Sequence, residues 1–426
     1  LRASFFFYFI NGDKPMIHPH RRRMKTSTVC LWQALASFSV GAQTPSPPPT
    51  AETLKIGLIG AFSGPSADFC LPMQNGVKMA VEEINAVGGY LGRPVELVIK
   101  DDMAQPSRGK SLAEELVADK SIMVSMGYCN TGVALAGMDV FQKAQVPLIV
   151  PVATGSPITQ KFPASESYIF RTSARDAIQV PFLVTDLLKR NLDKVAVFAD
   201  TTGYGENGLK DVESALAQHK LKPVYVARFP LGAADVSTQI QEAKAAGANV
   251  ILSYAVSPEN VVIAKNREAQ KWNVPQVGPW ALSFPFFIDT AAGAAEGALT
   301  VQTFIPEPSN ERRSTFISNY MRKYKTKGVP VAMSAAQGYD SMYLLIHALF
   351  GLRGGAHLSG PAIKAALENI PRTYYGVVTT YAKPFSKDDK DAITANMLYM
   401  GQIKNGAVTF AYPEDAKRNL VIQRKQ

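Results

Sequence analysis

Residues 195–216 read VAVFADTTGYGENGLKDVESAL. Five apolar residues run into Asp200, a glycine-rich turn follows, and Leu209, Val212 and Leu216 then recur at helical spacing. That order is strand, turn, helix. Gly203, Gly205 and Gly208 spell GxGxxG within it, the pattern of a dinucleotide-binding turn. Three features of the context argue against that use. Asp200, Thr201 and Thr202 separate the apolar run from the first glycine. Tyr204 puts a ring where backbone would have to approach a pyrophosphate. The next strand, KPVYVARFP, has no acid for a ribose hydroxyl. The stretch therefore reads as a strand-to-helix loop of an α/β protein.

The same unit repeats on both sides of it. Toward the N-terminus, LKIGLIGA, VELVIKDD, IMVSMG and PLIVPV are strands, and Val77, Ala80, Val81, Ile84 and Val87 follow helical spacing. Toward the C-terminus, PVYVARF, VILSY and PQVGPW are strands separated by helical stretches such as VSTQIQEAKAAG. This alternation predicts parallel sheets with helices on both faces. An offset of 128 residues carries Ser125 onto Ser253, Val146-Pro147 onto Val274-Pro275, Pro151 onto Pro279 and Ala153 onto Ala281. The expectation is two similarly wound lobes whose strand ends face a shared crevice, where ligands bind in such folds. A length of 426 residues fits two lobes.

Composition sets further bounds. With 46% apolar and 19% charged residues the chain is of ordinary globular type. About half of its net charge of +10 lies in residues 1–42, where six basic residues face Asp13 alone. No basic cluster with interleaved aromatics remains, so nucleic acid is not an expected partner. Residues 1–42 read as an upstream extension followed by a signal peptide. Met24 is the expected start, an apolar segment follows, and Val40-Gly41-Ala42 is a small-x-small cleavage site. Residues 43–51 read as a Pro-rich linker. Besides Cys30, the chain holds Cys70 and Cys129, an even pair in an oxidising compartment, either free or bridged. No CxxC occurs, and the histidines have no spaced partners, so no metal and no cofactor are expected. The sequence has no HExxH, GxSxG or Walker loop, so no enzyme is expected either.

LKIGLIGAFSGPSADF, GVKMAVEEINAVGGYLGRPVELVIKDD, VPLIVPVATGSPIT, VAVFADTTGYGENGL and AQGYDSMYLL resemble the periplasmic substrate-binding proteins of the branched-chain amino acid ABC transporter family. The resemblance spans about residues 54–410. It implies a type I periplasmic binding fold, two doubly wound parallel-sheet lobes joined by a three-crossing hinge. Lobe 1 would comprise residues 52–172 and 302–378, and lobe 2 residues 173–301 and 379–424. It further implies a periplasmic monomer, a small-molecule ligand and an ABC transporter permease as partners.

The resemblance also implies the site. The stretches matching the family's carboxylate-holding loops are GYCNTGVALA and PVATGSP, which supply Asn130, Thr131, Val152, Ala153 and Thr154. Thr131 opens a helical pattern, where exposed N–H groups and the helix dipole favour an anion. Thr131 could equally be an N-cap, but the matching role of Thr154 favours binding. Phe69 falls where the family places an aromatic over the ligand, and Tyr204 where its second lobe closes. Tyr254 is a further candidate ring. The family's lobe-one disulfide is altered, with Met103 near one usual cysteine position. Where amino-acid-binding members carry an acid for the ligand ammonium, this chain has Trp280. An ammonium buried there without a partner would be costly, whereas an indole stacks on a flat ring. The expectation is the solute-binding protein of an ABC importer for a small carboxylate-type ligand: an amino acid, an aromatic acid or another carboxylate or amide. A ligand-sensing receptor domain of the same fold is the alternative, and an NAD-linked dehydrogenase the disfavoured one.

Overall fold

Apolar runs that are short and bounded by polar turns become strands here, and the longer amphipathic stretches become helices. The computed structural model describes residues 52–352, 358–421 and 423–425. The upstream extension, signal peptide and Pro-rich linker expected over residues 1–51 lie outside the described residues, which fold on two large sheets and a two-stranded hairpin.

The first sheet is wholly parallel. Its strands are β1 (Leu54–Gly60), β2 (Val95–Asp101), β3 (Ile122–Met126), β4 (Leu148–Val150) and β5 (Ile169–Arg171), in the order β2-β1-β3-β4-β5. Helices α1 (Ala67–Ala86), α2 (Pro106–Ala118), α3 (Thr131–Ala144) and α4 (Pro157–Gln160) connect them. The buried strands are mostly apolar, as parallel strands covered on both faces must be, with Lys55 in β1 and Arg171 at the end of β5 as the charged exceptions. Helix α1 buries Met73, Val77, Ala80, Val81 and Ile84 on one stripe. Each large apolar side chain so buried contributes about 1.5–3 kcal/mol.

After α5 (Asp176–Lys189) the second sheet begins. It holds β6 (Val195–Asp200), β7 (Tyr225–Phe229), β8 (Val250–Tyr254), β9 (Gln276–Gly278) and β10 (Leu299–Gln302) in parallel, with helices α6 (Gly203–Gln218), α7 (Ser237–Ala245), α8 (Ser257–Ala269) and α9 (Pro285–Ala291) between them. The 128-residue offset carries β3 onto β8 and β4 onto β9, residue for residue at both ends. The chain then returns to the first sheet with α10 (Glu311–Tyr324), α11 (Ala332–Leu349) and α12 (Gly360–Glu368), of which α11 packs along α1. A small hairpin follows, β11 (Tyr374–Tyr375) with β12 (Thr380–Tyr381). Finally β13 (Tyr399–Lys404) and β14 (Ala407–Phe410) add antiparallel strands to the second sheet beyond β10, and α13 (Pro413–Arg418) follows. The fold is α/β, with parallel-strand sheets and helices on both sides.

One buried cluster ties the segments that cross between the sheets. Arg171, at the end of β5, has no solvent exposure and donates to Asp391 at 2.6 Å and to Thr159 at 2.6 Å. Its backbone pairs with residues 390–392, so the last crossing runs beside β5. Among the described residues no helix is long and apolar enough to cross a membrane.

The glycine pattern of residues 203–208 has a packing explanation. A Cβ on Gly205 would lie 2.0 Å from the carbonyl oxygen of Asp200, and one on Gly208 would lie 1.9 Å from the Tyr254 ring. These two glycines let α6 settle against the ends of β6 and β8.

Candidate functional site

The site lies where strand ends of both sheets run into helix N-termini. β3 leads through Gly127-Tyr128 and Cys129 to α3. Asn130 occupies the N-cap position with extended backbone, but its side chain makes no capping bond, and the first turn of α3 holds no acid. The N-terminal N–H groups of α3 are thus without a side-chain partner of their own. Thr131 is the first helical residue, and its hydroxyl oxygen accepts from the Gly155 N–H at 3.2 Å. This links α3 to the loop after β4. Arg171 holds the far side of that loop by donating to the carbonyls of Thr154 and Gly155, each at 2.8 Å. With those carbonyls bound to Arg171, Val152 and Thr154 of the loop line the cleft.

A disulfide joins Cys70 in the first turn of α1 to Cys129, with Cα atoms 5.7 Å apart. Of the two states left open by the cysteine count, the structure has the bridged one. It fixes Phe69 relative to Asn130 and Thr131.

The opposite wall comes from the second sheet. Thr202 caps α6 by accepting from Tyr204 and Gly205 N–H groups. Tyr204 follows in the first turn, its ring 4.9 Å from that of Tyr254. After β9, Pro279 ends the strand and Trp280 opens a short 3-10 turn. The Trp280 ring meets Phe284 edge-on at 6.0 Å. Phe284 in turn stacks on Phe69 at 5.1 Å, so one aromatic pair spans the cleft.

Between these walls is a cavity of about 30 Å³. From the first sheet it is lined by Phe69, Cys129, Asn130, Thr131, Val152 and Thr154. From the second it is lined by Tyr204, Val256, Trp280, Ala281 and Phe284. It adjoins a wider cleft mouth of about 780 Å³, with which it shares Asn130, Thr131, Tyr204 and Val256. Seven of the nine residues expected from the sequence stand in the cavity wall. The other two stand behind it. Ala153 is buried among the apolar residues of α3 and β4, and its backbone bonds to Tyr128 and Ser173. Tyr254 is fully buried beneath Tyr204. Four further wall residues, Cys129, Val256, Ala281 and Phe284, were not among those expected to bind. The signal for Phe284 was Pro285, which starts α9 and leaves the preceding ring at a helix boundary.

No residue in the cavity wall carries a charge. The Asn130 side-chain oxygen and the Tyr204 hydroxyl are buried there without a hydrogen-bond partner, and buried polar groups of this kind are costly unless something satisfies them. Behind the wall the buried acid Asp176, at the start of α5, donates its N–H to the Thr154 carbonyl at 2.9 Å. Burial pushes it up to about 7, and the charge of Asp211 adds to the effect. It is therefore a poor fixed anion at neutral pH. Burial likewise raises Asp200, the last residue of β6, and Glu259, in the first turn of α8. Among the described residues there is no cluster of three or more histidine, cysteine or acidic side chains able to hold a metal.

The sequence model for a periplasmic binding protein matches residues 53–407 of the chain. A Leu/Ile/Val-binding protein homologue of Brucella melitensis is 28% identical over 294 residues, covering 68% of this chain and 77% of the relative. Two solved structures share the fold. The branched-chain amino acid transporter substrate-binding protein LivJ of Streptococcus pneumoniae, in complex with isoleucine, aligns with a TM-score of 0.71 at 24% identity, over 84% of this chain and 98% of its own. An ABC transporter solute-binding protein of R. palustris, in complex with benzoate, aligns with a TM-score of 0.73 at 20% identity, over 84% and 95%.

Proposed function

Because the chain belongs to the periplasmic binding protein family, we propose that it is the extracytoplasmic solute-binding protein of an ABC importer, taking a small carboxylate without an α-ammonium, with aromatic acids foremost. The carboxylate sits at the N-terminus of α3, whose first N–H groups have no side-chain partner, with Thr131, Val152 and Thr154 in the adjoining wall. The apolar part lies between Phe69, Tyr204 and Trp280. Two lobes, residues 52–172 with 302–378 and 173–301 with 379–424, close around it, and the closed monomer is what a membrane permease recognises. A secreted precursor cleaved near Ala42 delivers the protein to its compartment.

The single observation carrying the ligand class is the wall itself: hydroxyls and a helix end on one side, Trp280 on the other, and no acid between. An α-ammonium enclosed there would be left without an anion, at a cost of several kcal/mol. The solved neighbour holding benzoate fits this reading. The isoleucine complex and the Leu/Ile/Val-binding relative support the alternative of an amino-acid ligand.

Thermal-shift and calorimetric titrations with benzoate and with leucine decide between them. The protein is expected to bind benzoate and ignore leucine, and a ligand at 100 times its dissociation constant adds about 2.7 kcal/mol of stability. Trp280→Glu is expected to reverse the preference. Tight leucine binding by the unaltered protein, unchanged in Trp280→Glu, would overturn the ligand class.

A further inference from the structure

The two lobes touch at a point outside the cavity wall, where the first turns of α3 and α6 meet end to end. Gly132 is the second residue of α3 and Gly203 the first of α6. Neither has a positive φ, so neither needs to be glycine for its own backbone. The reason is instead across the cleft. A Cβ built on Gly203 lies 2.9 Å from the Gly132 Cα and 3.1 Å from its nitrogen, and the next atom is the Thr131 carbonyl carbon at 3.8 Å. All three are backbone atoms of the other lobe, which cannot rotate aside as a side-chain end could. The relation is not symmetric. A Cβ built on Gly132 finds the Gly203 nitrogen at 3.6 Å and its Cα at 3.8 Å, ordinary contact distances.

We infer that Gly203 sets the affinity of the cavity without lining it, by fixing how closely the lobes close, and that Gly132 does not. The inference rests on the reading that the ligand is enclosed between the lobes. Two other contacts depend on the same approach. Ser156, after β4, donates across the cleft to Asp211 on α6 at 2.7 Å. Phe69 stacks on Phe284 from the opposite wall. Tyr204 is the next residue after Gly203, so a methyl group at the seam moves this ring away from Thr131. Alanine at either position is no burden on its own helix, since alanine is the better helix former. The open form has no cross-cleft neighbour to clash with, so Gly203→Ala raises the energy of the closed form alone.

The test compares Gly203→Ala with Gly132→Ala. Calorimetry with benzoate and with leucine reads affinity. A second measurement needs no ligand: in each background Ser156→Cys and Asp211→Cys are introduced together, and the rate of their cross-linking under oxidation, read by peptide mass spectrometry, reports closure. Gly203→Ala is expected to weaken whichever probe the unaltered protein binds by tenfold or more and to slow cross-linking to a similar degree. Gly132→Ala is expected to stay within about threefold on both. The melting temperatures of both variants without ligand are expected to match the parent. Cross-linking of Gly203→Ala at the parental rate, or equal slowing in Gly132→Ala, would overturn the inference. If neither probe binds the unaltered protein, the ligand class falls, and the cross-linking rates still decide the seam.

Discussion

Removing the Cys70–Cys129 bridge should cost both stability and binding. The bridge closes a loop across a sequence separation of 59 residues. In the chain-entropy account a loop of that length loses roughly 14 cal/mol/K in the unfolded state, or ~4 kcal/mol at 25 °C. Residual structure in the unfolded chain reduces the effect, so about 2–4 kcal/mol is the expected range. The two sulfur atoms also lie at the site, since Cys129 lines the cavity and Cys70 adjoins Phe69. Without the bridge the first turn of α1 is no longer tied to the loop that carries Asn130 and Thr131, and affinity falls as well. The assay is equilibrium urea unfolding followed by far-ultraviolet circular dichroism, with and without dithiothreitol, on the parent and on Cys70→Ala/Cys129→Ala. The parent should lose about 2–4 kcal/mol on reduction, and the double variant should not respond to reductant. A loss below about 1 kcal/mol in the parent would refute the reasoning, as would a non-reducing peptide map lacking the linked pair.

Three further outcomes are expected. Asn130→Asp puts a carboxylate at the uncapped start of α3, so it should hold or raise the melting temperature while weakening benzoate at least tenfold; tighter benzoate binding would place the carboxylate elsewhere. Arg171→Lys keeps a positive charge beside Asp391 but cannot span the Thr154 and Gly155 carbonyls and Thr159 together; affinity should drop about tenfold, roughly 1.4 kcal/mol, and stability loss with unaltered affinity would assign Arg171 to the hinge alone. Burial raises Asp176 from 3.8 to about 7, so the native state holds its proton more tightly than the unfolded chain does. That contribution to stability is complete below about 3.8 and is lost as pH climbs through 7. Melting temperatures from pH 5 to 8 should therefore fall less steeply in Asp176→Asn than in the parent, and parallel slopes would refute the assignment.

How far the sequence could be read depended on the distance over which each feature is determined. The strand-helix alternation is local, which is why β3 and β8 could be matched by a simple offset. The ends of helices are local too, and Thr131 and Tyr204 lay within a turn of theirs. Ala153 shows the limit. Neighbouring residues of a loop point opposite ways, and nothing in PVATGSP says that Val152 and Thr154 face the cleft while Ala153 faces the core. Phe284 had only the local signal of Pro285, because its partner Phe69 is more than 200 positions away and on the other wall. The cysteine pair showed only that a bridge was possible. It requires α1 and the β3 loop to be adjacent, which follows from β1 pairing with β3.

The two halves of the chain use one plan, and the difference between them assigns their roles. The 128-residue offset places Thr131 opposite Glu259. At the start of α8, Glu259 supplies an acid within the first turn and accepts from the Gly232 N–H. At the start of α6, Thr202 caps the helix, and Asp200 accepts from the Val256 N–H ahead of α8. At these two helix starts, beside the cavity, the second lobe thus supplies side-chain oxygens of its own. The corresponding end of α3 in the first lobe has neither an acid nor a capping side chain. An anion from outside is stabilised at such an end and has no counterpart to displace. The second lobe offers the cavity the rings of Tyr204, Trp280 and Phe284, beside Val256 and Ala281. On this reading the carboxylate binds to the first lobe before closure, because that half of the site is complete in the open form. The aromatic half becomes available only as Gly203 reaches Gly132. Selection by charge and selection by shape are then separate steps on separate lobes, and a residue at position 280 changes the second without altering the first.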